Sequence, residues 1–357
     1  MIFWASRRPA PPVGTPDTKP KISFVLVVAD EQERIVQRVA NLLNAVYPAE
    51  AMEAVVVTDG SKDSTVARLR ELMLTDTRIK LVELPERKGK ANGLNEAVQT
   101  ATGELLVFAD ARQRFAEDTV SRLIQAFGEK ETGAVSGRLV VAGEASAVGQ
   151  GVSSYWSIET RLRAAESVLD SCIGCTGAVY AMRRDLYQPI PPDTLLDDVV
   201  IPMQVVMQGY RVRYLPEAVA YDPQDLSPER ERIRKRRTLA GNFQMLFRHP
   251  DWLLPWKNRT WFQLIAHKYL RLAGPLLLLL ILVSSFMLSD HVFYAFCFWV
   301  QLSLYTLAVI GLSVPKVATK AVSLPAGFVF LNWTIVLGLL HYLRSPKSGA
   351  WEMVKPK

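Results

Sequence analysis

Apolar and polar positions alternate in short blocks over the first two thirds of the chain, then give way to long uncharged runs. Ile22 to Ala29 is an apolar run rich in branched residues, bounded by Pro20 and by Asp30-Glu31, and it predicts a buried strand. From Glu33 to Asn44 the apolar positions fall at Ile35, Val36, Val39, Leu42 and Leu43, which is helical spacing. The alternation repeats with strands at 54–58, 79–84 and 105–109, and helices at about 64–74 and 91–100. Strands alternating with helices predict an α/β domain built on a mostly parallel sheet flanked by helices. Later, 194–206 sets Asp197 and Asp198 before an apolar run, and 209–216 reads as a turn and an amphipathic strand.

Beyond this domain three stretches are apolar enough to enter a bilayer. Residues 272–288 and 292–314 are separated only by Ser289, Asp290 and His291, which predicts a tight helical hairpin. The basic flanks Lys268, Arg271, Lys316 and Lys320 put its turn on the far side of the membrane and the soluble domain in the cytoplasm. The third stretch, 321–343, either spans, which leaves Arg344, Lys347, Lys355 and Lys357 outside, or is re-entrant with that basic end inside; Pro325 and Gly327 suit both. Ahead of the first stretch, Trp252, Trp256, Trp261 and Phe262 mix with Lys257, Arg259 and Lys268, as in a helix lying in the headgroup layer. Met1 to Trp4 is too short for the apolar core of a secretory signal and is followed by Arg7 and Arg8, so the first residues are expected either at the membrane surface or as the stub of a helix absent from this chain.

Charge and cysteine content narrow the class. The net charge of +7 is uneven: bases crowd 230–237, whereas 272–315 holds one charged residue, Asp290. Without a nucleic-acid-binding module the basic block is expected to be a membrane-proximal helix or a diphosphate clamp, and no nucleic-acid partner is expected. Cys172, Cys175 and Cys297 form no disulfide framework, and the first two lack the second half of a zinc site, so they are expected to pack in a turn.

Ligands of a parallel sheet gather beyond the carboxyl ends of its strands, and here those ends carry Asp30-Glu31, Asp59 and Asp110. Neither a phosphate-binding GxxxxGK[ST] loop nor a GxGxxG turn after the first strand is present, so phosphates need another partner. Lys88-Gly89-Lys90 precedes a helix start, where backbone N–H groups and an ammonium are expected to meet an anion. Asp197 and Asp198 are adjacent and cannot face the same way, so one is expected to do chemistry while the other caps or orients.

These motifs resemble family 2 of the inverting glycosyltransferases, in particular its membrane-bound cellulose-synthase-like and hyaluronan-synthase-like branch. Ala29-Asp30-Glu31 resembles the opening that holds the nucleotide base. Asp59-Gly60-Ser61-Lys62-Asp63-Ser64-Thr65 is similar to DGSxDxT, whose first Asp lies by the nucleotide. Lys90-Ala91-Asn92-Gly93-Leu94-Asn95 is similar to a segment whose lysine lies near the nucleotide, and Gly174 to Arg184 resembles the segment beside the acceptor. Asp110-Ala111-Arg112 stands where the family has DxD, with Arg112 replacing the last carboxylate. Asp198 falls at the general base, after Asp197. Arg234 to Thr238 is similar to QxxRW, with Arg237 at its arginine and with Arg234 and Thr238 replacing the glutamine and tryptophan.

The resemblance implies a GT-A type nucleotide-sugar-binding domain over 20–245. Around it are an N-terminal tail (1–19), an amphipathic interfacial segment (246–268), two to three membrane-embedded helices (269–343) and a basic tail (344–357). It implies an inverting hexosyltransferase that moves sugar from a UDP-hexose or UDP-N-acetylhexosamine to a growing exopolysaccharide or capsular glycan, or one sugar to a lipid acceptor such as a polyprenyl phosphate or diacylglycerol. Site residues by this resemblance are Asp197, Asp198 and Arg237 for chemistry, and Ala29, Asp30, Glu31, Asp59, Lys90, Asp110 and Arg234 for the donor, with Asp110 holding Mg2+ or Mn2+. The expected setting is the inner membrane, multi-pass, with polysaccharide export partners.

Overall fold

A computed structural model of the chain describes residues 19–141, 159–223, 228–313 and 320–344, with side chains described from 233 and from 322 in the last two segments. The expectations for the N-terminal tail, Lys316 and the residues past Arg344 lie outside the described residues. The described chain divides into two compact units: one up to Arg230 together with Pro250–Gln263, the other comprising Glu231–His249 and the residues from Leu264 onward.

The first unit is built on one sheet. Its strands are β1 (Ile22–Val28), β2 (Met52–Asp59), β3 (Ile79–Leu84), β4 (Leu105–Ala109), β5 (Arg114–Phe115), β6 (Thr132–Val141), β7 (Val179–Arg183) and β8 (Arg211–Asp222), in the order β3-β2-β1-β4-β7-β6-β8-β5. The helices are α1 (Ile35–Leu43), α2 (Thr65–Thr75), α3 (Lys90–Thr100), α4 (Thr119–Gln125), α5 (159–169) and α6 (Asp197–Met207). Every residue of β1, β2 and β4 is buried, so side chains of both parities are covered and the sheet carries helices on both faces. Ile35, Val39, Leu42 and Leu43 of α1 pack into a core with Phe24, Leu26, Val56 and Val107.

The expectation of a mostly parallel sheet holds for its first half. β3, β2, β1 and β4 run parallel, but β7 is antiparallel to β4 and β6, β6 is parallel to β8, and β5 is antiparallel to β8. The sheet is therefore mixed. Helical crossovers link parallel strands only among the first four; α4, α5 and α6 lie between strands that run in opposite directions.

The second unit is helical. It contains α7 (Pro228–Arg248) from residue 231, and three helices long and apolar enough to cross a membrane: α8 (Trp261–Met287, from residue 264), α9 (Val292–Ser313) and α10 (Lys320–Arg344). Their mean hydropathies over the best windows are 2.1, 1.8 and 1.7. Leu276, Phe286, Phe293 and Trp299 are exposed, as expected of side chains that face lipid. Small residues bring α9 and α10 together: Ala308 is buried, and a Cβ on Gly311 would lie 2.7 Å from Val322. Gln301 Nε2 donates across to the Leu278 carbonyl at 2.8 Å. α10 runs unbroken through Pro325.

The aromatic segment ahead of the first span departs from the expected surface helix. Residues Pro250–Leu253 form a single 3-10 turn, and Trp252 is buried. Asn258 Nδ2 donates to the Trp252 carbonyl at 2.9 Å, and Arg259 donates to the carbonyls of Gly209 and Tyr210 at 3.0 and 2.6 Å. These bonds satisfy backbone carbonyls of the first unit, so much of the segment is part of that unit and only from Trp261 does it enter α8.

Candidate active site

The parallel strands deliver their acids to one edge. Val28 of β1 pairs with Thr58, which sets Ala29 beside Asp59, and Leu26 pairs with Ala109, which sets Asp110 beside Val27. From this shared edge the acids take different partners.

Asp30 and Asp59 hold loops. Asp30 sits at φ 55°, and its carboxylate accepts from the Lys62 N–H at 2.7 Å and pairs with Arg87. Glu31 N–H donates to Thr65 Oγ1 at 2.9 Å, and Gln32 N–H donates to Asp63 at 3.1 Å, so the turn after β1 is zipped to the DGSKDST turn after β2. Burial alone would raise the Asp63 pKa, but the hydrogen bonds from Thr65 and Gln32 lower it overall. Asp59 is 1 % exposed, and its two oxygens accept from the N–H groups of Lys88 at 2.7 Å and Gly89 at 3.0 Å. The backbone donors expected to meet a ligand anion ahead of α3 are thus occupied by Asp59. Gly60 permits the closure: at φ +59° it lies against the Glu86-Arg87 backbone, and a Cβ there would come within 2.6 Å of Arg87 N.

That clamp aims Lys90, the first residue of α3, at the chemistry. Its Nζ lies 3.0 Å from Asp110 Oδ1 and 3.2 Å from Asp197 Oδ2. Burial would lower its pKa, yet Asp110 and Asp197, and then Asp198, raise it well above the usual lysine range, so the ammonium stays charged. Arg38 supports Asp110 from beneath. It is 2 % exposed, donates through Nε to the Asp110 carbonyl at 2.9 Å and lies 4.4 Å over the Phe115 ring.

Asp197 and Asp198 open α6 and, being adjacent, meet different surroundings. Asp197 is buried against Lys90, while Asp198 is half-buried. The main chain of Asp198 is held by a device that sequence reasoning missed. Pro202 lies four residues on inside the helix and has no N–H, so it cannot bond the Asp198 carbonyl. Cys175 N–H takes that carbonyl instead at 2.7 Å, tying the helix start to the turn at 172–177. The Asp198 carboxylate faces Gly177, where a Cβ would lie 3.2 Å from Asp198 Cβ and 3.4 Å from Oδ2. Cys172 and Cys175 are buried thiols outside any disulfide, as expected of thiols that pack. Arg163 of α5 donates to Thr176 Oγ1 at 3.0 Å and pairs with Glu159 at 3.1 Å; burial opposes its charge, but Glu159 and Asp198 help to keep its pKa raised. Tyr180 stacks on Phe108 at 4.3 Å, and its hydroxyl has no hydrogen-bond partner among the described residues.

Arg112 is turned elsewhere. It forks onto Asp222 of β8, Nε to Oδ1 at 3.0 Å and Nη2 to Oδ2 at 2.7 Å, and Gln113 donates to the same carboxylate at 2.9 Å. Arg234 and Arg237 lie on α7, in the second unit.

These residues do not fit a divalent ion well. No group of three His, Cys, Asp or Glu side chains that could hold a metal occurs among the described residues. Asp110 and Asp197 already share the Lys90 ammonium, and Asp222 is satisfied by Arg112 and Gln113. An ion of charge +2 at about 4 Å from an ammonium is repelled by roughly 8 kcal/mol at an effective dielectric near 20. Such a site usually needs at least one free carboxylate beside the phosphates.

Residues 23–190 match the family model for Glycosyl transferase family 2. Two poly-beta-1,6-N-acetyl-D-glucosamine synthases, from Staphylococcus epidermidis and Staphylococcus aureus (strain COL), are each 24% identical over 205 residues, covering 56% of this chain and 49% of theirs. The chain thus spans about half the length of the curated relatives it matches. In fold it is similar to a mannosyltransferase from Pyrobaculum calidifontis solved with GDP-Man and Mn2+, at a TM-score of 0.70 and 21% identity over 96% of this chain and 92% of that one. Over residues 23–190 the chain is thus similar to Glycosyl transferase family 2, and its fold is GT-A-like, followed by apolar helices long enough to cross a membrane.

Proposed function

We propose that this protein is an inverting glycosyltransferase that moves a sugar from a nucleotide-sugar donor to a glycan acceptor at a membrane surface, with Asp198 as general base. The observation that carries the reading is the ion cluster at the carboxyl edge of the sheet. There a charged Lys90 is fixed between Asp110 and Asp197, and a second, half-buried carboxylate, Asp198, faces Gly177. The donor would lie over the loops after β1 and β2, which Asp30, Asp59 and Asp63 hold in shape. An acceptor hydroxyl oxygen would attack the anomeric carbon while its proton passes to an Asp198 oxygen. The bond from that carbon to the diphosphate oxygen would break, its electron pair leaving with the nucleoside diphosphate, and the configuration would invert. General base catalysis of this kind contributes roughly 10² to 10⁴-fold. Asp197, paired with Lys90, would position the ammonium toward the leaving group.

The staphylococcal relatives support a UDP-N-acetylhexosamine donor and a growing polysaccharide acceptor. The basic residues flanking the apolar helices support a cytoplasmic catalytic unit, with the glycan passed to export partners. The test is incubation of the full chain in detergent with UDP-glucose, UDP-galactose, UDP-N-acetylglucosamine and GDP-mannose, each with membrane extract as acceptor. A polymer ladder is expected. One sugar in a product that extracts into organic solvent would reassign the acceptor to a lipid, and no product or donor hydrolysis with any of them would overturn the reading.

A further inference from the structure

We infer that this chain neutralises the diphosphate of its donor with its own ammonium, Lys90, in place of a divalent cation. The inference rests on the proposed nucleotide-sugar site but makes a separate claim about it. Two arrangements of charge bear on it. Arg112 stands where a second carboxylate would help to hold a metal, and it is fixed outward onto Asp222, whose side chain is 6% exposed. Lys90 occupies the space between the remaining acids, Asp110 and Asp197, and each of those acids faces it at 3.0 and 3.2 Å. A divalent ion seeking Asp110 would have to displace that ammonium or sit beside it.

The same geometry equips Lys90 for the task. An ammonium carries three donors, and two carboxylates leave one for a phosphate oxygen. Its side chain is 16% exposed, so an anion can reach it. Its backbone is fixed by the Asp59 clamp on Lys88 and Gly89, so the charge is held in place before the nucleotide arrives. Asp110 and Asp197 thus act as positioning residues for a cation supplied by the chain.

The test is calorimetric titration of the full chain in detergent with UDP, GDP, ADP, CDP and dTDP, once with excess EDTA and once with Mn2+. At least one nucleotide should bind with affinities that agree within about threefold between the two conditions. Lys90→Met should weaken that binding at least tenfold in EDTA, with thermal unfolding recorded to show that the variant is folded; a folded Lys90→Met that binds normally overturns the inference. If a nucleotide binds in Mn2+ and loses tenfold or more in EDTA, the inference is overturned while the transferase reading stands, and this comparison needs only the unaltered protein. If no nucleotide binds in either condition, both fail.

Discussion

Asp198 owes its place to three residues that do no chemistry. Pro202 withholds an N–H from its carbonyl, Cys175 supplies one, and Gly177 leaves room for its carboxylate. A methyl group at Gly177 would press on Asp198 Cβ at 3.2 Å, a distance at which one neighbour must give. Gly177→Ala is therefore expected to lower kcat at least tenfold with little change in nucleotide affinity or in thermal unfolding temperature; equal losses in all three would mean the glycine serves folding alone. Asp59 and Asp110 stood out in the sequence because they end apolar runs, Lys90 because it precedes a helix start, and Asp197 and Asp198 because they precede an apolar run. Pro202, Gly177 and Arg38 did not, since their roles depend on contacts across the fold that no local spacing encodes. Asp59 was visible as a site residue, but its two oxygens hold the Lys88-Gly89 turn, which only the fold could reveal.

The elements that read most clearly were those buried on both faces. The strands at 79–84 and 105–109 lie where the apolar runs place them, whereas β2 begins two residues before its apolar run because it takes in Met52 and Glu53. Glu53 is buried at 4% exposure and is accommodated by Ser23 Oγ at 2.6 Å, the Thr102 N–H at 2.6 Å and Lys80 at 2.9 Å. Burial alone would raise its pKa, but these donors lower it from 4.5 to about 2. A carboxylate whose pKa is depressed by folding stabilises the folded state above its unfolded pKa, and that stability is lost as the pH falls. Glu53 should thus contribute on the order of 3 kcal/mol near neutral pH, fading between about pH 4.5 and 2. Glu53→Gln should lower the thermal unfolding temperature at pH 7 and leave a flatter acid limb; an unchanged acid limb would contradict this ledger. Beyond β4 legibility fell, because β6, β7 and β8 follow one another in alternating directions, which local patterning does not encode.

For the molecule as a whole, hydropathy located α9, α10 and the end of α8 to within a few residues, since a lipid-facing helix must be apolar along its length, while α8 begins well ahead of its apolar run, at Trp261. The segment holding Trp252 read as a surface helix because aromatic and basic residues suit both a headgroup layer and an irregular stretch packed on a domain. Side in the membrane follows from the bases near the helix ends. With the catalytic unit in the cytoplasm, an Asp290→Cys variant should react with a membrane-impermeant maleimide in intact cells. A Glu50→Cys variant, altered at an exposed position of the first unit, should react only after permeabilisation. The reverse pattern would invert the assigned orientation.

The account stands or falls on the division of labour between two adjacent carboxylates, one holding Lys90 and one taking a proton. The direct measurement is turnover and nucleotide affinity of Asp198→Asn in one preparation, with the best donor found in the panel. Turnover is predicted to fall by roughly 10² to 10⁴-fold, with nucleotide affinity within about threefold of the unaltered protein. Near-normal turnover in Asp198→Asn would contradict the account.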